Sequence, residues 1–130
     1  MNTINPFLDH GNEPDRTEFV YVMLPLQIEP DERQARFGDQ LDAELRLAGI
    51  GYVSGGGQLL SAPDDAGERE VLFCGIDIDT IDIESTRELL RLHLPELGCP
   101  AGTCIQFGDW QDRFDGATWG LSEPRDREME

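Results

Sequence analysis

The sequence predicts an α+β domain of ferredoxin-like layout, with a four-stranded antiparallel sheet carrying two helices on one face. Three observations predict it. Strand-like apolar runs and helical stripes follow one another in the order β, α, β, β, α, β between residues 19 and 107. A length of 130 residues suits a single core. The hydrophobic fraction is 38%, and with 14 glycines it approaches ordinary globular composition, so the chain is a folded acidic protein rather than an acidic tail.

Each element has a local reason. Residues 1–18 are polar, with Pro6, Gly11 and Pro14, and read as a flexible N-terminal segment. Phe19 to Ile28 is rich in β-branched, aromatic and aliphatic residues and reads as a buried strand, with Pro25 ending its pairing or marking an edge. Pro30-Asp31-Glu32 opens a helix, because Pro suits the first turn and acids suit the positive end of the dipole. Phe37, Leu41, Leu45 and Ala48 form its apolar stripe, and Gly49 is its C-cap. Ile50 to Ser61 and Glu70 to Thr80 read as a hairpin around the turn residues Pro63 to Gly67. Ser85 and Glu88 have capping-box spacing, and Asp82 offers a cap one turn earlier, for a leucine-rich helix ending near Pro95 to Gly98. Gly102 to Phe107 is the last strand. Residues 19–107 thus form the domain, and residues 108–130 an acidic, aromatic C-terminal appendage.

Charge excludes several functions. The chain has 27 Asp and Glu against 10 Arg, no Lys, and a net charge of −17. Direct binding of nucleic acid or of an anionic membrane needs clustered positive charge, so neither is an expected partner. Without Lys there is no Schiff base and no Walker-type phosphate lysine. No apolar run reaches the length of a membrane span, and Met1 to Asp9 shows no targeting signal. Three cysteines, Cys74, Cys99 and Cys104, fit no disulfide framework, which points to a reduced, cytoplasmic setting.

Four constellations bear on chemistry. In the run Ile76 to Glu84, a strand period of two puts Asp77 and Asp79 on one face and Ile76 and Ile78 on the other. Such a pair is a Mg²⁺ candidate, but the first strand has no acid to complete the set, so a solvated or partner-binding acidic face is expected and no metal. Gly55-Gly56-Gly57 matches no phosphate-loop pattern and reads as a bulge, a bend or a place where another backbone approaches. The cysteines read as small hydrophobes, and His93 as a helix residue without a nucleophile beside it. Trp110, Phe114 and Trp119 among Asp109, Asp112 and Asp115 either cover a sheet edge or present an interface.

In size, charge and layout, the elements from Phe19–Ile28 through Gly55–Gly57 and Ile76–Glu84 to Leu89–Leu97 resemble the small acidic immunity proteins encoded beside bacterial toxins. The resemblance implies occlusion of a toxin's active site, with carboxylates standing in for phosphates where the toxin is a nuclease. The expected function is therefore a non-enzymatic, cofactor-free acidic protein that neutralises a basic partner protein. Asp77, Asp79, Asp82, Glu84, Asp109, Trp110, Asp112 and Trp119 are the expected contacts. The alternative is a small-ligand-binding or regulatory domain that uses its open sheet face.

Overall fold

The computed structural model describes residues 17–125, and its central strand is β1 (Glu18–Leu24). Most of the expected N-terminal segment, and the residues after Arg125, lie outside the described residues. Val20, Val22 and Leu24 alternate along β1 and are fully buried, and the strand stops before Pro25, which has no N–H to continue the ladder.

The chain continues into α1 (Pro30–Arg33), a π-helical segment (Gln34–Gly38) and α2 (Asp39–Ala48), which form one rod with helical backbone throughout. Phe37, Leu41 and Leu45 are fully buried as the stripe predicts, whereas Ala48 is exposed. Gly49 caps the rod with φ 73°, a left-handed conformation that glycine adopts cheaply. β2 (Gly51–Leu60) and β3 (Val71–Thr80) form the hairpin. In α3 (Ile83–Glu96) the cap is Asp82, whose carboxylate accepts from the Ser85 N–H at 3.0 Å and the Ser85 hydroxyl at 2.7 Å. Three strands follow: β4 (Cys104–Phe107), β5 (Trp110–Phe114) and β6 (Trp119–Pro124).

The expected four-stranded ferredoxin-like sheet is corrected here: the sheet has six strands, in the order β2-β3-β1-β4-β5-β6, every neighbouring pair antiparallel. The stretch expected to form an appendage supplies the two additional strands. β5 pairs with β4 from Cys104 opposite Arg113 to Phe107 opposite Trp110, and β6 pairs with β5. Asp115 locks the turn between them by accepting from the Ala117 and Thr118 N–H groups at 2.8 and 2.7 Å.

The helices cover one face. Cys74, Ile76, Ile78 and Ile105 join the β1 residues under Phe37, Leu41, Leu45, Leu90 and Leu94. Full burial of each large aliphatic or aromatic side chain contributes about 1.5–3 kcal/mol. Beside this core, Thr80 and Thr86 place their hydroxyls 2.7 Å apart, and the Thr80 hydroxyl also donates to the Ile50 carbonyl at 2.7 Å.

β2 is an outer strand in a stretch, residues 47–63, that carries no charged side chain. Edge strands are commonly blunted by their own charges or prolines. Here the helical rod does that work. Asp42 accepts from the Val53 N–H at 2.9 Å, and Arg33 donates to the Gly57 carbonyl at 3.1 Å. A Cβ at Gly56 would meet the Arg33 guanidinium and the Gly75 carbonyl, so this glycine makes room for a side chain and a neighbouring strand.

Candidate functional site

The face of the sheet away from the helices is concave. A cavity of about 620 Å³ is lined by Phe19, Tyr21 and Met23 of β1, Phe73 and Asp77 of β3, and residues of β4, β5 and the β6 end. A second hollow, of about 260 Å³, adjoins it towards β2, and Tyr21, Phe73 and Asp77 line both. Together they form a trough from the β2 edge to Arg125.

Its composition follows from strand alternation. Phe19, Tyr21 and Met23 are the residues of β1 that do not face the core, so this strand is apolar on both sides. Register then builds a polar row across the strands, because Asp77, Tyr21, Gln106, Gln111 and Glu123 are successive cross-strand partners. The Tyr21 ring leans over Gly75, where any Cβ would collide with the phenol. Burial, and then the charge of Asp77, push the Tyr21 hydroxyl pKa upward, so it stays a neutral hydrogen-bonding group.

The charges in the trough differ in what they already hold. Arg113 pairs with Glu123 at 3.2 Å. Arg125 donates to the Gly108 carbonyl at 2.9 Å and to Gln106 Oε1 at 3.0 Å. Among the described residues, Asp77 has no hydrogen bond or ion pair from its carboxylate. Cys104 lines the trough too, but burial raises its thiol pKa, as it does for Cys74 and Cys99, which keeps all three protonated and poor as nucleophiles.

The expected contact residues separate into three groups. Asp77 and Asp79 share the open face as the alternation predicts, and Asp79 accepts from the Thr17 hydroxyl at 3.2 Å. Asp82 and Glu84 lie at the start of α3. Asp82 is spent on its cap, whose hydrogen bonds hold its pKa below the usual carboxylate value, and Glu84 pairs with Arg87 at 2.9 Å. Asp109 and Trp110 are exposed at the β4–β5 turn.

Asp112 and Trp119 fall in the third group, whose contacts lie within the molecule. Asp112 is fully buried under α3. Arg87 grips its carboxylate with two bonds, of 2.8 and 2.7 Å, while Arg91 adds one of 2.9 Å and the Ser122 N–H another of 2.9 Å. Burial pushes the Asp112 carboxyl pKa up, but these bonds outweigh it and hold it below the usual value. The Arg87 guanidinium also stacks 4.0 Å over the Phe107 ring. Trp119 packs against Phe114 and donates its indole N–H to the Arg91 carbonyl at 3.1 Å. Both residues brace the β5–β6 hairpin to α3.

No family model, no curated protein and no solved structure matches this chain. The site is therefore read from its own chemistry. Among the described residues no cluster of three His, Cys, Asp or Glu is placed to hold a metal ion, and no helix is long and apolar enough to cross a membrane. His93 lies between Glu44 and Glu96, at 3.5 and 3.2 Å, on α3 and away from the trough. Sequence reasoning missed Phe19, Tyr21, Met23, Phe73, Gln106, Arg113 and Arg125 as trough residues. The available signal was a strand with apolar residues at both parities, which leaves an open face that water alone covers poorly.

Proposed function

We propose that the chain is a non-enzymatic binding protein that neutralises a basic partner protein through the open face of its sheet, in the manner of toxin-immunity proteins. The observation that carries this reading is the trough itself: a concave, largely apolar face on a protein of charge −17, with an acid inside it. Apolar surface supplies the affinity of an interface, while the surrounding carboxylates steer a basic protein to it and raise association rates by roughly 10–10³-fold.

The test is capture from the native host at low salt with the wild-type chain and with Met23→Arg, which puts bulk and positive charge in the trough. A stoichiometric basic protein retained by wild type and lost by the variant is the expected result. Equal retention by both, or no partner at all, overturns the reading. Association should also slow as salt rises, since this steering is screened over about 8 Å at physiological ionic strength.

The size of the larger hollow favours a second reading, a small-ligand or regulatory domain, because about 620 Å³ lies within the roughly 300–1,000 Å³ of small-molecule sites. A rise in melting temperature with a single metabolite, abolished by Met23→Arg, would select it.

A further inference from the structure

The inference concerns what enters the trough, and it rests on the binding reading above. Several acids elsewhere in the described structure are occupied: Asp42 holds Arg46 and the Val53 N–H, Asp79 holds Thr17, Glu123 holds Arg113, and the buried Asp112 holds two arginines, while others, Glu88 among them, stand exposed. Asp77 is different. Its carboxylate is half-buried, faces both hollows and has no partner of either kind among the described residues.

The surroundings of that carboxylate are aromatic. Phe19 and Tyr21 stack with centroids 6.4 Å apart along β1, and Phe73 completes the wall from β3. A carboxylate beside aromatic faces matches an organic cation, which gains a charge-assisted hydrogen bond from one and a cation–π contact from the other. An anion finds less here, because both trough arginines are already engaged and the net charge repels it. Between the two protein cations, a planar guanidinium both stacks on rings and forks onto a carboxylate, whereas a lysine ammonium is compact and strongly hydrated.

We infer that the hollow over Tyr21 and Asp77 receives an arginine side chain of the basic partner, its guanidinium paired with Asp77 and stacked on the Tyr21 ring, between Phe19 and Phe73. The trough thereby gains a defined anchor, and the acidic surface around it serves approach rather than fit.

The probe is N-acetyl-arginine methylamide, with the citrulline analogue as its neutral isostere, added at low ionic strength to the isotopically labelled full chain and followed by amide chemical shifts. Saturable shifts centred on Phe19, Tyr21, Phe73 and Asp77 are expected with the arginine probe and not with citrulline. Asp77→Asn should weaken the arginine probe about tenfold, or roughly 1.4 kcal/mol. Tyr21→Leu should weaken it several-fold through loss of the ring face. Glu88→Gln, an exposed acid on α3, should change nothing. Non-saturating shifts spread over the acidic surface, or equal affinity in Asp77→Asn, overturn the inference. If host capture is lost in Met23→Arg while the probe ignores Asp77, the binding reading stands and the anchor falls. If the probe binds at Asp77 but no partner is captured, the site is a receptor for a small cation and the neutralising reading falls.

Discussion

Replacing Asp112 by Asn tests whether the C-terminal hairpin is held to the domain by charge. The substitution keeps the shape and one carbonyl acceptor but leaves Arg87, 7% exposed, and Arg91, 21% exposed, facing a neutral group at a fully buried position. Removing one partner from a buried ion pair typically costs about 3–5 kcal/mol, because the remaining charge is stranded away from water. The retained acceptor places the expected loss near the lower end, about 3 kcal/mol. Unfolding entropy near 2.1 cal/mol/K per residue gives roughly 0.27 kcal/mol/K for 130 residues, so Tm should fall by about 11 °C. Circular dichroism melts and urea titration at pH 7 read both quantities. The loss should also depend on pH. The carboxyl pKa is held down in the folded state, so its stabilisation is complete above the unfolded value near 3.9 and disappears as pH falls through the folded one. The gap between wild type and D112N should therefore be constant from pH 7 to about 5 and narrow below about 4. The triple variant R87M/R91M/D112L, which removes these three charges together and leaves only the exposed Glu84 of the network, should recover most of the loss. A D112N protein within 1 kcal/mol of wild type at pH 7 would refute the reasoning.

Three further perturbations probe other parts of the fold. Gly75→Ala should cost about 1–3 kcal/mol in urea denaturation, since its Cβ would collide with the Tyr21 phenol, whereas Gly57→Ala, with nothing within 4 Å of the added Cβ, should cost well under 1 kcal/mol. Asp82→Ala should lose about 1 kcal/mol through the missing cap, with the difference read from thermal melts. Thr80→Val should cost about 1–3 kcal/mol and more than Thr86→Val, because it alone orphans the Asp82 N–H and removes one of the two donors to the Ile50 carbonyl, which keeps the Ile81 N–H; equal losses would show that the pair acts only through packing.

Local patterns made much of the fold legible. Val20, Val22 and Leu24 announce a strand by parity, Pro30 and Gly49 mark the ends of the helical rod, and the alternation of Ile76, Asp77, Ile78 and Asp79 assigns their faces correctly. The β5–β6 hairpin was hidden because the helix-side positions of β5 are Trp110, which is exposed, Asp112 and Phe114, and a carboxylate at the middle one breaks the apolar alternation that marks a buried strand. Only the tertiary placement of Arg87 and Arg91 makes that acid acceptable inside. The glycine run was similarly opaque. Gly56 is explained by Arg33, which lies 23 positions earlier and meets it only after β2 has folded back along the rod. Within the site, Asp77 was visible from parity alone, whereas the aromatic wall required knowing that β1 sits at the middle of the sheet.

The number of strands has a geometric consequence for anything that docks. Neighbouring strands rotate by about 20–25°, so five successive steps turn the outer strands by roughly 100–125° relative to one another. The open face is accordingly a twisted, concave surface, and a rigid plane laid on it would bridge the hollow over β3, β1 and β4 and touch only its rims. A convex knuckle or a bent loop, by contrast, would follow the curvature from the glycine edge towards Arg125. Widening the sheet from four strands to six thus selects among partners by shape before any charge is felt.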